Sequence, residues 1–413
     1  LQYLKNNLSV CWLYIWASTL SLLKKIKPHW IILFTVVLLP LIVRVEQVAA
    51  PLDLNVWPVQ NELFTYWKCA LLFTVSPTLF FFSFKKVILA PYVYIFFICI
   101  SGILTRHTEI VWYGLYNYRE GMLTLICYMA LFISSAHLIN TDEKRKQLVY
   151  AVALSFLLVG LVAILQFLKI DVFNLRGINR IIRNGYEGQL KTSLTPSFST
   201  LMNSNHLGLY CAMIFPFVAI EFKKWFIPFI LFVSMTCYSR GAWASILITA
   251  CLVFYYLYNE IDSKHLIILS FCVYAIAPKI SKVNFDFNNN DRFYFWENTI
   301  PLLSVFGNGP QTLIYTFPNW NSSKKADNGI NKDVMIDRPH NIFLQVWHDT
   351  GFFSLLCFLF FPIYFLLKQK KDRYSIAVSF SVIGYLIAAC FTDSTVCVAP
   401  LYWIILGSGY AKL

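Results

Sequence analysis

Between Gln147 and Leu168 the chain carries no charged side chain. A run of that length spans about 30 Å of hydrocarbon when wound into a helix. Similar runs recur on both sides of it, among them LLFTVSPTLFFFS at 71–83 and LLCFLFFPIYFLL at 355–367. The composition agrees: 58% of residues are hydrophobic, 18% aromatic and only 13% charged. A soluble domain carries roughly 25% charge. The expected fold class is all-α, a polytopic membrane protein with about twelve transmembrane helices.

The expected spans lie near 30–43, 63–84, 87–104, 121–140, 147–168, 206–220, 225–238, 241–258, 264–278, 341–366, 374–392 and 396–411. Segment 8–23 is apolar too. As a span it would place Lys24, Lys25 and Lys27 outside, so an interfacial or re-entrant helix is the better reading. The chain starts at Leu1, as a fragment or an alternative start codon would give. No small-residue cleavage site follows the first apolar stretch, so a cleavable signal peptide is not expected.

The positive-inside rule fixes the sides. With the N-terminus inside, the cytoplasmic turns hold Lys85–Lys86, Lys144–Arg145–Lys146, Lys223–Lys224, Lys264 and the KQKKDR run at 368–373. Two long loops then fall outside, at 169–205 and 279–340, with a shorter one at 105–120. No internal repeat or low-complexity linker divides the chain, so residues 1–413 read as a single integral membrane domain. The net charge of +13 sits largely in short loops and gives no reason to expect nucleic acid. All eleven cysteines lie in or beside apolar segments and none forms a CxxC pair. They read as small packing residues, with neither a disulfide framework nor a zinc site.

The outer loops are unusually basic. The first carries Lys169, Arg176, Arg180, Arg183 and Lys191 against Asp171 and Glu187. A basic outer loop calls for an anionic partner, either lipid phosphate or a diphosphate substrate. In the second loop, Phe293, Trp296, Ile300 and Leu303 of DRFYFWENTIPLLS fall on one helical face, as in a helix lying on the bilayer. Pro301 would kink or end it.

Four polar groups face this side. Arg240 of YSRG (238–241) sits between two apolar segments, where an arginine either faces a cavity or counter-ion or snorkels from a helix end. Arg292 heads the amphipathic stretch, as an interfacial anchor or a ligand. RPHN (338–341) places Pro339 in the first turn of a helix and His340 at its N-terminus. There the helix dipole would lower the imidazole pKa and favour a neutral base; the bland reading is an interfacial histidine. Arg119 of YREG (118–121) precedes a span, and NSNH at 203–206 suits either sugar hydroxyls or a helix cap. Asp393 of FTDST is a partner for one of the arginines. His348 and Asp349 form a polar pair or pack against Thr350. DFNNND at 286–291 with Glu297 has some calcium-loop spacing, but Asp291 stands where glycine is needed. GNGP at 307–310 is a turn, and no DxD occurs in the outer loops.

The order of these motifs resembles the O-antigen ligase and polymerase superfamily, membrane glycosyltransferases of bacterial surface polysaccharide assembly. The resemblance rests on YNYREGMLTLICY at 116–128, LMNSNHLGLYCAMIFPF at 201–217 and YSRGAWASILI at 238–248. It continues through RFYFWENTIPLLSVFGNGP at 292–310 and DRPHNIFLQVWHDTGFFSLL at 337–356. It implies a GT-C-like arrangement in the bacterial inner membrane, with a large periplasmic loop containing short helices and the active site facing the periplasm.

The activity implied is inverting and metal-independent, with no cofactor. A glycan moves from undecaprenyl diphosphate to an acceptor hydroxyl in lipopolysaccharide biosynthesis. The acceptor is lipid A–core for a ligase, or a second lipid-linked glycan for a polymerase; a lipid-linked glycan flippase is the reading from another class. By resemblance Arg240 and Arg292 are diphosphate clamps and His340 is the base. Arg338 and Arg183 are further candidates for the diphosphate, with Arg119, Asn341 and Asp393 in support.

Overall fold

A computed structural model describes residues 27–43, 64–83, 89–115, 118–170, 196–222, 225–257, 291–317 and 336–413. Every regular element among the described residues is helical. The first six are α1 (Pro28–Leu41), α2 (Tyr66–Ser83), α3 (Leu89–Leu104), α4 (Thr108–Val111), α5 (Met122–Leu138) and α6 (Asp142–Phe167). Then come α7 (Ser204–Glu221), α8 (Phe226–Thr236), α9 (Arg240–Leu257), α10 (Asp291–Thr299) and α11 (Leu313–Thr316). The chain closes with α12 (Ile342–Thr350), α13 (Phe352–Lys368), α14 (Arg373–Ala389) and α15 (Ala399–Tyr410). Arg183, segment 8–23, the expected span 264–278 and residues 286–290 of the calcium-like stretch lie outside the described residues.

Local signals set the helix ends. Thr141 caps α6 by accepting from the Lys144 amide at 3.4 Å, and Asp142 and Glu143 occupy its first turn. Asp372 caps α14 through the Ser375 amide, 3.2 Å away. Asn203 caps α7 by accepting from the Asn205 amide at 2.8 Å, so the first asparagine of NSNH is a helix cap. Helices α6 and α9 are long and apolar enough to cross a membrane. The apolar helices α1, α3, α5, α8, α13 and α14 are shorter, at 10–17 residues.

One expected span is two helices. The 341–366 segment breaks at Gly351, where φ is +96°, so α12 and α13 are separate elements. The cause is tertiary. The turn containing GNGP docks on the break: the Phe352 amide donates to the Val305 carbonyl at 2.9 Å, and the Asn308 and Gly309 amides donate to the His348 and Asp349 carbonyls at 2.8 and 2.9 Å. A Cβ on Gly351 would collide with the Val305 carbonyl. His348 and Asp349 do form a pair, at 2.9 Å, and His348 Nε2 reaches the Thr316 hydroxyl at 2.9 Å. This pair is buried in the same junction.

Helix α7 is the central element, buried along nearly its whole length and packed against α14, α9, α8 and α6. Gly384 lets α14 approach the Ala212 carbonyl of α7 directly. Serines stitch neighbouring helices: Ser381 donates to the Met213 carbonyl (2.7 Å), Ser245 to Gly384 (2.6 Å) and Ser135 to Ile404 (2.7 Å). In apolar surroundings each such bond is worth about 0.6 kcal/mol. Lys68, fully buried in α2, donates to the carbonyls of Ile42 (2.6 Å) and Thr200 (3.0 Å). It thereby satisfies the carbonyl just past the end of α1 and ties α1 and the 196–203 segment to α2.

The two ends of the bundle differ. One gathers basic residues: Lys412 lies 2.7 Å from Asp372 and 3.7 Å from Asp142, and Arg145 sits 5.8 Å over the Tyr374 ring. Arg373 joins this end by donating from Nε to the Ile220 carbonyl at 3.0 Å. The other end carries the polar motifs.

Candidate active site

At that second end the loops before α5, α7, α9 and α12 meet helix α10 and the α14–α15 turn. Four motif positions there hold left-handed backbone without being glycine: Arg119 (φ 51°), Met202 (φ 73°), Tyr238 (φ 52°) and His340 (φ 52°). Such conformations cost of order 1–3 kcal/mol each, so surrounding contacts must hold them.

His340 stands two residues ahead of α12 and not in its first turn. Asn341 is the N-cap, its side-chain oxygen accepting from the Phe343 and Leu344 amides at 2.9 and 3.1 Å. Asn341 therefore has a local structural job. Pro339 lies before the helix, and its carbonyl accepts from the Trp296 indole at 2.9 Å.

His340 Nδ1 lies 2.5 Å from Asp393 Oδ2. The expected lowering of the imidazole pKa by the helix dipole is overturned. The Asp393 carboxylate raises it above the ordinary value of 6.5, outweighing burial. Burial would raise the Asp393 carboxyl, but His340 and then Arg338 hold it below its ordinary range. Since an ionised carboxylate only accepts, the Nδ1 proton faces Asp393, and neutral His340 presents the lone pair of Nε2. The imidazole side chain stays 37% exposed while Asp393 is 5% exposed. The Phe295 ring, 5.6 Å away, flanks the imidazole. Asp393, expected beside an arginine, has histidine as its hydrogen-bonded partner.

Arg240 begins α9 and Arg292 lies in the first turn of α10. Arg292 is within electrostatic reach of Asp393, Arg240 and His340. Burial lowers its pKa; the Asp393 charge opposes this and the Arg240 charge adds to it. Helix α10 is seated by Trp296, which touches Phe391 (6.3 Å between rings) as well as Pro339. As Pro301 suggested, the α-helix stops at Thr299 and gives way to a 3-10 turn over Ile300–Leu302. Phe293 and Ile300 are exposed, whereas Phe295 packs with Leu313, Phe317 and Ile336.

Arg338 differs from the other two arginines. Its side chain is 2% exposed and paired with Glu120, itself 1% exposed, at 3.3 Å. It also donates to the Ser394 carbonyl and lies 3.7 Å over the Tyr118 ring. The sequence expectation placed Arg338 at substrate diphosphate; in the structure its guanidinium is enclosed and paired with a carboxylate. Burial pushes the Glu120 carboxyl up, against the pull of Arg338. Arg119 stacks 4.8 Å over Tyr66, while its carbonyl accepts from Thr124 at 2.6 Å. His206 is buried, bonded to the Leu201 carbonyl at 3.2 Å and within electrostatic reach of Asp393.

Sequence reasoning passed over Glu120, although it lies inside the quoted YREG. Its one signal was a carboxylate at the very head of an apolar span.

An all-helical bundle with a histidine–carboxylate pair beside clustered guanidinium groups has the parts of an enzyme acting on an anionic substrate. The O-Antigen ligase family model matches residues 225–359, and this supports membership of the O-antigen ligase superfamily. The matched stretch contains Arg240, Arg292, Arg338 and His340. Glu120 and Asp393 lie outside it. No curated protein matches the chain in a sequence comparison.

Proposed function

We propose that the protein is a membrane glycosyltransferase that moves a glycan from undecaprenyl diphosphate to an acceptor hydroxyl at the periplasmic face. In the reading put first, it is an O-antigen ligase of the bacterial inner membrane and the acceptor is lipid A–core. The observation that carries the proposal is the 2.5 Å His340–Asp393 pair, with Arg292 in electrostatic reach of both and of Arg240.

The chemistry follows from these groups. The acceptor oxygen attacks the anomeric carbon and gives its proton to His340 Nε2. The bond from that carbon to the diphosphate oxygen breaks on the opposite face, which inverts the anomeric centre. The electron pair leaves with undecaprenyl diphosphate. Asp393 stabilises the imidazolium that forms, as an ionised partner does in other histidine bases. Arg240 and Arg292 meet the charge growing on the leaving group, guanidinium forks matching phosphate oxygens. One preorganised donor of this kind is worth about 3 kcal/mol in the transition state. The clustering of basic residues at the far end supports placing this end at the periplasmic face.

The test is to incubate the purified protein with undecaprenyl-diphosphate glycan, with and without lipid A–core. Product only with the core supports the ligase. A ladder without it indicates a repeat-unit polymerase. No product in either arm overturns the glycosyltransferase reading and favours a lipid-linked glycan transporter.

A further inference from the structure

We propose that Glu120 and Arg338 form a buried brace that sets the His340–Asp393 pair, so that they act as positioning residues and not as substrate ligands. This rests on the catalytic reading given above.

The brace joins three segments far apart in the chain. Arg338 lies two residues before His340, and Ser394 directly follows Asp393. Arg338 Nη1 donates to Glu120 Oε2 at 3.3 Å and to the Ser394 carbonyl. Glu120 Oε1 accepts from the Ser394 hydroxyl at 2.8 Å and from the Tyr128 hydroxyl at 2.6 Å. The Ser394 amide in turn donates to Gln345 of α12 at 2.9 Å. Both members of the pair are thus tied, one residue or two away, to a single carboxylate at the head of α5.

Two features give the arrangement a purpose. His340 holds a left-handed backbone with φ of 52°, which needs contacts on its flanks to persist. The Asp393-bearing segment belongs to a turn between α14 and α15, where no helix fixes the carboxylate. The brace links the chain before α12 to the chain after α14 from the buried side, beside Trp296, which touches Pro339 and Phe391 from α10. A misplacement of about 1 Å is enough to cost roughly 10²-fold in rate. Both side chains are enclosed, which shields their contact from the solvent side by which substrate phosphate would arrive.

The experiment compares Glu120→Gln, Arg338→Met and the milder Ser394→Ala with wild type in two measurements. One is binding of undecaprenyl diphosphate, without glycan, to the purified full-length protein. The other is glycan transfer in membranes of a null strain carrying each variant and its native lipid-linked glycan. The expected result is transfer lowered roughly 10²-fold in the first two variants and several-fold in Ser394→Ala, with the dissociation constant for undecaprenyl diphosphate unchanged. A tenfold loss of binding in Arg338→Met would make it a direct ligand and overturn the proposal. Unchanged transfer in Glu120→Gln would overturn it too. If Glu120→Gln or Arg338→Met fails to fold, Ser394→Ala decides, and wild-type transfer in it counts against the brace. Full transfer in His340→Ala, or no binding by wild type, would instead sink the underlying catalytic reading.

Discussion

The imidazole of His340 and the carboxylate of Asp393, 53 residues apart in sequence, share a hydrogen bond of 2.5 Å. The contact fixes which imidazole nitrogen faces outward and raises the His340 pKa above 6.5. A base must be unprotonated to act, so this pair makes the activity depend on pH in a defined direction.

His340→Ala should lower glycan transfer by roughly 10²–10⁴-fold, the usual weight of a general base. Insertion and folding should be retained, because the side chain is part-exposed and α12 is capped by Asn341. Surface polysaccharide in a complemented null strain, read beside the amount of folded protein, checks this. Near-normal polysaccharide would remove His340 from the chemistry.

Asp393→Asn should act on the pH profile as well as on the rate. Asp393 is the largest influence raising the His340 pKa, so the acidic limb of activity should move to lower pH in the variant. Transfer measured across pH 5–9 would show it. An unmoved limb would mean that the limb reports another group.

The same pair makes stability depend on pH. The folded-state pKa of His340 is raised above 6.5, so its contribution is present below that pH and fades as pH rises through the folded value. Asp393 is depressed below 3.8, so its contribution is present above that pH and fades as pH falls through its folded value. The wild-type advantage over Asp393→Asn in thermal unfolding should therefore be larger near pH 5 than at pH 9. The reverse order would contradict the pair as described.

Arg240→Lys and Arg292→Lys should not behave as conservative changes. A point charge replaces a fork that bonds two phosphate oxygens at once. Losses of about 10²–10³-fold in transfer are expected for each. Full activity of either variant would take that residue out of the clamp.

Gly351→Ala tests the fold. It forces a Cβ onto a backbone with φ of +96° and into the Val305 carbonyl. A destabilisation of about 1–3 kcal/mol is expected, seen as earlier thermal unfolding of the purified protein. An unchanged transition would show that the α12–α13 junction relaxes freely.

The helices were legible because their causes are local. The charge-free run after Gln147 became the apolar body of α6, and the TDE sequence before it became the cap and acidic first turn. Gly351 shows the limit. Nothing within 341–366 separates a tolerated glycine from a break, because the break depends on the backbone of 305–309 docking against it.

The site divided in the same way. Sequence alone marked His340, Arg240 and Arg292 as polar groups out of place beside apolar runs. It also marked Asp393 as a carboxylate in need of a partner. Only the tertiary structure chose that partner, and only it separated Arg338 from the other arginines by burying it against Glu120, 218 residues away. Hydropathy and capping act over a few residues and are written along the chain. Which charges neutralise one another depends on which helix ends meet, and that is decided by packing across the whole bundle.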